Sequence, residues 1–256
     1  MTVPRPLVAL DGELLVQAAL TVRGGEVRRH CDLLTWIDGR VLRPTRGLGA
    51  RHTFRLGEAL GHIHAVAQAF QPPAGFELPR WDAEAMFTAA SPYRPGRLDR
   101  LLSGEDRTLV RQVEEQTRTA FAELERSGAR LHVIHADYIL GNCLFFRRGN
   151  AWQLGVLDFD DLGWGYLAYD LCPLLGNLAD FPNYTALRRF FLEGYRSVHE
   201  LPPDVERHFP VLMAARHAAA CAWLAGMERT GEARVPVGKH LAIRMQQIRE
   251  CLGLSG

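Results

Sequence analysis

The sequence predicts an α+β fold, with a small β-rich N-terminal part leading into a larger, mainly helical part. Three observations carry that prediction. Before residue 40, apolar residues come in short runs separated by Asp-Gly and Gly-Gly turns. From Arg51 the apolar spacing changes to threes and fours, the period of an amphipathic helix. Two short polar motifs then sit on strand–loop–strand segments inside the helical half. The 256 residues, 47% hydrophobic and 23% charged, suffice for one large core or two small ones.

Taken in order, residues 7–10 and 14–20 flank Asp11-Gly12 and predict a hairpin, and Arg23-Gly24-Gly25-Glu26 predicts a second turn. Residues 30–37 read as a buried strand that ends at Asp38-Gly39. Three strands therefore precede the first helix, with a hinge near 36–40. So small a sheet needs support from the helical part. The predicted division is 1–38, a partial β-sheet and hinge strand, and 39–256, the helical part carrying the loops of the motifs. Leu56, Leu60, Ile63, Val66 and Phe70 mark the first helix, stopped by Gln71-Pro72-Pro73-Ala74-Gly75. Residues 71–104, rich in Pro, Gly and aromatics, predict an ordered, irregular connection. Ser103 with Asp106 three residues later predicts a capped helix with Leu109, Val113, Phe121 and Leu124 on one side. A short strand over 131–134 comes next, then a hairpin of 143–146 with 152–157 around Arg147-Arg148-Gly149-Asn150. Beyond Asp170, helices are expected near 168–178, 184–199, 204–227 and 237–252.

A formal net charge of +1 offers no bulk attraction for nucleic acid or an anionic membrane, and neither is expected as a partner. Five scattered cysteines without a C-x-x-C read as buried free thiols in a reducing compartment, not as a zinc site. No apolar run approaches the span of a bilayer and no signal-peptide core opens the chain, so a cytoplasmic location is expected.

The chemistry lies in two runs. His135-Ala136-Asp137-Tyr138-Ile139-Leu140-Gly141-Asn142 reads H-x-D-x4-N, and Asp158-Phe159-Asp160-Asp161 comes one hairpin later. Phosphoryl transfer asks a protein for a base, metal ligands and a phosphate clamp. Asp137, on a loop after a buried strand, can accept the proton of an incoming hydroxyl. Asn142 opens the next strand, and its amide oxygen suits Mg²⁺, a hard ion that prefers oxygen. Asp158 ends the returning strand, where the hairpin can bring its carboxylate beside Asn142. His135 reads as a buried structural histidine. Asp160 stays open between a second metal contact and a solvated loop acid, and Asp161 reads as the latter.

These runs resemble the aminoglycoside phosphotransferase/choline kinase-like family, distant relatives of protein kinases. The matching pieces are Val133-Ile134-His135-Ala136-Asp137, Asn142-Cys143-Leu144-Phe145, Val156-Leu157-Asp158-Phe159-Asp160-Asp161, Gly163 and Ala168-Tyr169-Asp170-Leu171. Leu33-Leu34-Thr35-Trp36-Ile37-Asp38-Gly39 resembles the family's strand-to-hinge segment. Leu56-Gly57-Glu58-Ala59-Leu60-Gly61-His62-Ile63-His64 resembles its first helix after the hinge. The resemblance implies a protein-kinase-like two-lobe fold with a truncated β-rich N-lobe, using ATP and Mg²⁺. It implies Asp137 as catalytic base and Asn142 and Asp158 as metal ligands. Thr35, Trp36, Ile37 and Asp38 would be the segment whose backbone binds adenine. Asp170, with His135, would support the catalytic loop. The family's usual H-G-D is H-A-D here, and its frequent second histidine is Ile139.

The sequence departs from the family at the phosphate clamp. Val3-Pro4-Arg5-Pro6 resembles the linker entering the family's fourth strand, and no G-x-G-x-x-G occurs. The sole lysine, Lys239, falls in a C-terminal helical segment and reads as a surface residue. Arg23, Arg28 and Arg29 could stand in, although surface roles suit them better. Losing one donor to developing charge costs on the order of 3 kcal/mol. A reading frame extending upstream, a natural short form and completion by a partner chain all remain open. An exposed sheet edge would also invite a homodimer.

On the substrate side, Trp164 and Tyr166 are candidate walls. Arg216 opens Arg-His-Ala-Ala-Ala-Cys-Ala-Trp, which resembles a helix near the family's pocket. Arg216 is open between gripping an anionic acceptor and pairing locally. Glu193 and Asp180 read as solvated acids, so a metabolite hydroxyl is expected over a polycationic antibiotic. Two functions are compatible with these residues. One is an ATP- and Mg-dependent kinase acting on a small-molecule hydroxyl, weakened by the short N-lobe. The other is a non-catalytic pseudokinase that binds a small metabolite or partner.

Overall fold

Strands β1 (Val16–Val22) and β2 (Gly25–Cys31) pair antiparallel, from Val16 opposite Cys31 to Val22 opposite Gly25. The structure, a computed structural model, describes residues 1–22, 25–88, 91, 93 and 98–254, so Arg23 and Gly24 between these strands lie outside it. The hairpin thus closes one turn later than expected. Asp11-Gly12 does form a tight turn, with Gly12 at φ +90° donating to the Ala9 carbonyl. Beyond the Ala9 amide on the Glu13 carbonyl (2.8 Å), its flanks do not pair with each other, because each finds another partner. The Leu7 amide donates to Leu33 (2.8 Å) and the Thr35 amide to Arg5 (2.9 Å), while residues 16–22 ladder with β2. The expected buried strand over 30–37 is also corrected. Leu33 and Trp36 are 66% and 87% exposed, and Ile37 alone of 30–37 is buried.

Next come α1 (Ala50–Ala69), β3 (Arg80–Trp81), α2 (Ala83–Phe87), α3 (Leu98–Leu101) and α4 (Gly104–Arg126). They are followed by β4 (His132–Ile134), β5 (Cys143–Arg148), β6 (Ala151–Val156) and β7 (Gly163–Gly165). The chain ends in α5 (Leu167–Asp170), α6 (Cys172–Ala179), α7 (Tyr184–Arg196), α8 (Phe209–Thr230) and α9 (Val237–Cys251). A 3₁₀ turn at Leu140–Asn142 leads into β5, and another at Pro203–His208 leads into α8. Strand β7 lies between β3, parallel to it, and β4, antiparallel; β5 and β6 form the expected hairpin.

That hairpin ties the N-terminal residues to the helical part. Thr2 bonds alongside β6, its amide to Leu154 (2.8 Å) and its carbonyl from Val156 (2.9 Å). Arg40 exchanges both backbone bonds with Phe145 of β5 (3.0 and 2.9 Å). Ile37 lies over Gly155, where a Cβ would come within 2.9 Å of its Cγ2.

Helix α1 forms as predicted, with Leu56 and Leu60 buried, but the rest of its buried face is Thr53, Gly57, Ala59, Gly61 and His64, while Val66 is 72% exposed. Gly57 and Gly61 interrupt that face where α7 presses against it. A Cβ on Gly57 would overlap the Phe191 carbonyl, and one on Gly194 the Phe54 carbonyl. The Ser103 hydroxyl caps α4 by accepting the Asp106 amide (3.1 Å), and Leu109, Val113, Phe121 and Leu124 are all buried. Helix α8 is apolar on almost every side, the mark of a central helix, and α4, α6 and α9 pack around it. All five cysteines are free; Cys143, Cys172 and Cys221 are buried, but Cys31 is exposed and Cys251 half-buried. Among the described residues, no helix is long and apolar enough to cross a membrane.

Candidate active site

The loop after β4 is held from below by one buried carboxylate. Asp170, at the end of α5, accepts the His135 amide (2.9 Å) and the Ala136 amide (2.7 Å). His64 Nε2 of α1 lies 3.0 Å from the same carboxylate, and His64 Nδ1 lies 2.7 Å from the Tyr195 hydroxyl of α7. Burial alone would raise the Asp170 pKa. The hydrogen bond and charge of His64, with the His135 amide, outweigh it and hold the carboxyl below its ordinary value. Ala136 takes φ +62°, a conformation that turns the chain sharply and explains why glycine suits the middle of such a triplet. His135 is buried, its Nε2 3.0 Å from the Leu157 carbonyl and its ring against Phe159.

Above this brace stands Asp137, its side chain 18% exposed. Asn142 Nδ2 donates to both the Asp137 carbonyl and Oδ2, each at 3.0 Å. The Asn142 carbonyl accepts the Leu157 amide (2.9 Å), which sets the end of β6 beside it. Asp158 comes next at φ +63°. Partial burial of its carboxyl, then the charges of Asp160 and Asp137, push it above the usual carboxylate range. Asp160 is exposed.

These donors fit a hard divalent cation. The Asn142 amide nitrogen is committed to Asp137, so its oxygen remains as a ligand, and the acidic cluster at Asp158 is one that a cation would relieve. Among the described residues no three His, Cys, Asp or Glu converge on one point. The donor set is therefore one carboxylate and one amide, and it needs phosphate or water oxygens to complete it.

Asp161 corrects the expectation of a solvated acid. It is half-buried, accepts the Tyr93 hydroxyl (3.0 Å), and its carbonyl accepts Trp81 Nε1 (2.9 Å). Tyr166 is buried, bonded through its hydroxyl to Glu125 and packed on Phe121, so it serves the packing of α4. Trp164 meets Phe76 edge-on, 6.3 Å between ring centres. Arg216 of α8 is ion-paired with Asp137 itself, which the sequence could not reveal. Asp180 accepts Gln247 Nε2 (2.8 Å), and Glu193 pairs with Arg189 on the surface.

Thr35 Oγ1 accepts the Arg5 amide (2.9 Å) and Trp36 Nε1 donates to Asp38 (3.0 Å). Among the described residues, the backbone groups of Trp36, Ile37 and Asp38 bond to nothing else in the chain. Lys239 is exposed near the start of α9. On the β1–β2 hairpin Arg28 faces Glu26 (3.7 Å) and Gln17, and Arg29 contacts the Arg28 carbonyl. Arg23 falls outside the described residues.

A loop held by an acid from below, an Asp–Asn pair above it and a second acid one hairpin away define the floor of a kinase-like fold. Residues 1–208 match the phosphotransferase enzyme family, and the chain belongs to it. Over 175 residues, 64% of the chain, it is 26% identical to the amicoumacin kinase of Bacillus subtilis (strain 168). A protein of Synechocystis sp. (strain ATCC 27184 / PCC 6803 / Kazusa) is 27% identical over 190 residues. The chain spans about half the length of these curated relatives, 48% of each. Among solved structures, a microcompartment-associated aminopropanol kinase superposes with a TM-score of 0.74 at 24% identity, covering 98% of this chain and 76% of that one. An amicoumacin kinase in complex with AMP-PNP, Ca²⁺ and Ami gives 0.68 at 19%, covering 98% and 72%. These likenesses establish the kinase-like fold.

Proposed function

We propose that the chain is a Mg²⁺- and ATP-dependent phosphotransferase acting on a hydroxyl of a small molecule. The observation that carries this reading is Asp137, clamped by Asn142 beside the acidic end of β6 on a loop braced by Asp170. Asp137 takes the acceptor proton, and Asn142 and Asp158 hold the cation, which when bound neutralises phosphate charge. Thr35, Trp36, Ile37 and Asp38 form the adenine segment, the last three with open backbone groups, and His135 and Asp170 hold the loop. The boundary at residue 38 belongs to the same reading, as does a cytoplasmic setting. Support comes from the kinase names of the relatives and from the neighbour that binds AMP-PNP and Ca²⁺.

The test is Asp137→Asn. Transfer from Mg-ATP to acceptor alcohols should fall by at least about 10³-fold, with the melting temperature measured alongside. Unchanged transfer would sink the assignment.

A second reading, a binding protein without catalysis, is favoured by one feature. The residues considered as substitutes for the phosphate clamp lie elsewhere or are engaged: Lys239 sits on α9, and Arg28 and Arg29 contact their neighbours. Mg-ATP that raises the melting temperature and turns over would exclude it. The exposed apolar residues around the β1–β2 hairpin make self-association through that edge part of either reading.

A further inference from the structure

On the α8–α9 side of Asp137 lies a group of basic side chains that makes a single direct ion pair among the described residues. Arg216 and His217 are consecutive on α8. Arg216 reaches Asp137 through a terminal nitrogen, and its Nε is buried without a hydrogen-bond partner. Arg244 of α9, half-buried, donates to His217 Nδ1 (3.3 Å) and Gln247 Oε1 (3.0 Å). Both of those partners are neutral, and among the described residues Arg244 has no carboxylate partner. Burial and then the nearby charge of Arg216 hold the Arg244 guanidinium below its ordinary pKa, against the opposing charges of Asp180 and Asp137. His217 supplies no charge of either sign, because burial, Arg244 and Arg216 push it down to about 3. Tyr169 is wholly buried, feels the charge of Arg216, and leaves its hydroxyl without a partner.

Arg216 makes its ion pair with the candidate base and Arg244 makes none, while the charges of Asp161 and Asp180 act on them without a direct contact. A half-buried arginine hydrogen-bonded only to neutral groups lacks a direct counterion, which an incoming anion would supply. An incoming ammonium would meet repulsion at the same place.

We propose that Arg216 and Arg244 form an anion subsite, so that the acceptor is a small hydroxy compound bearing a carboxylate or phosphate group. This rests on Asp137 being the base of the proposed transfer. The acceptor's anion draws Arg216 from Asp137, and the freed carboxylate takes the acceptor hydroxyl's proton. The hydroxyl oxygen bonds to the terminal phosphorus of ATP, the bond from that phosphorus to the ADP oxygen breaks, and a phosphate ester and ADP leave. Without acceptor, Arg216 stays on Asp137, and water finds no free base. The subsite also separates this chain from the neighbour whose name specifies an amino alcohol, the aminopropanol kinase.

Titration calorimetry on the full chain tests the subsite without relying on turnover. The probes are glycerate, 4-hydroxybutyrate and glycerol 3-phosphate, against ethanolamine and 3-aminopropanol. The anions should bind at least about tenfold tighter than the amino alcohols. Arg244→Gln should erase that preference, and Arg244→Lys, which keeps the charge, should retain most of it. Glycerate against glycerol 3-phosphate separates carboxylate from phosphate as the recognised group. The subsite is refuted if no anion binds, if the amino alcohols bind as well, or if Arg244→Gln binds the anions like the parent. Anion binding with no transfer from Mg-ATP would remove the kinase reading and leave the subsite. Transfer favouring amino alcohols would do the reverse.

Discussion

Ala136 and Asp158 are the two non-glycine residues with positive φ among those described, and they bend the two loops that meet at the site. An L-residue in that region carries roughly 1–2 kcal/mol of strain. At Ala136 the strain is sustained by the adjoining amides of His135 and Ala136, both bonded to Asp170. Ala136→Gly should therefore stabilise the protein by about 0.5–1 kcal/mol in urea melts, the reverse of the usual Ala→Gly effect in a helix. Asp170→Asn should cost about 3 kcal/mol, because it leaves buried donors facing an amide. Its pH dependence has a definite sign. The folded carboxyl sits below its ordinary value, so its contribution is complete above a pH of about 4 and is lost as pH falls through the lower folded value. Urea melts across that window should slope for the parent and lie flatter for Asp170→Asn. Asp137, Asn142 and Asp158 are legible in the sequence because their spacing is local. The Arg216–Asp137 pair spans 79 residues and the His64–Asp170 contact 106, and no local pattern encodes either.

At the scale of elements, the crossing of α1 and α7 decides how the site is supported, since it brings His64 against Tyr195 and Asp170. Gly57 and Gly194 allow backbone to meet backbone there. Gly57→Ala would favour an isolated helix by about 1 kcal/mol. In this crossing the added methyl has no room, and the expected net result is a loss of about 2 kcal/mol, read as a lower urea midpoint with unchanged slope. A gain would mean that the helices can part without disturbing His64. The period of α1 is legible in the sequence, and Leu56 and Leu60 are buried as it predicts, but the rest of the buried face is not. Large apolar residues predict the core side of this helix, whereas close packing selects Gly57, Gly61, Thr53 and His64 and leaves Val66 outside. The N-terminal hairpin escapes the sequence for a related reason. Asp11-Gly12 supplies a turn, but a ladder needs two runs free to pair, and residues 5–7 are held by 33–35.

For the whole molecule, the consequential feature is the apolar surface around residues 7–36. Leu7, Val8, Leu10, Leu14, Leu15, Leu33, Leu34 and Trp36 are all exposed. Strands β1 and β2 pair only with each other among the described residues, so both outer edges of the hairpin present unpaired backbone groups. Contiguous apolar surface beside an open edge favours association, and the charges of Arg28, Glu26 and Arg29 lie along β2 without covering it. Sedimentation velocity should therefore show a mass that rises with concentration. Val8→Lys together with Leu33→Glu places charge on neighbouring parts of that surface, since Leu7 bonds to Leu33. The double variant should sediment as a monomer and melt at the same temperature as the parent, because neither side chain is buried. A parent chain that stays monomeric at the highest attainable concentration would show that residues 7–36 are stable in water without a partner. The interaction expected of this edge would then be abandoned, and the assignment of Asp137 would be unaffected.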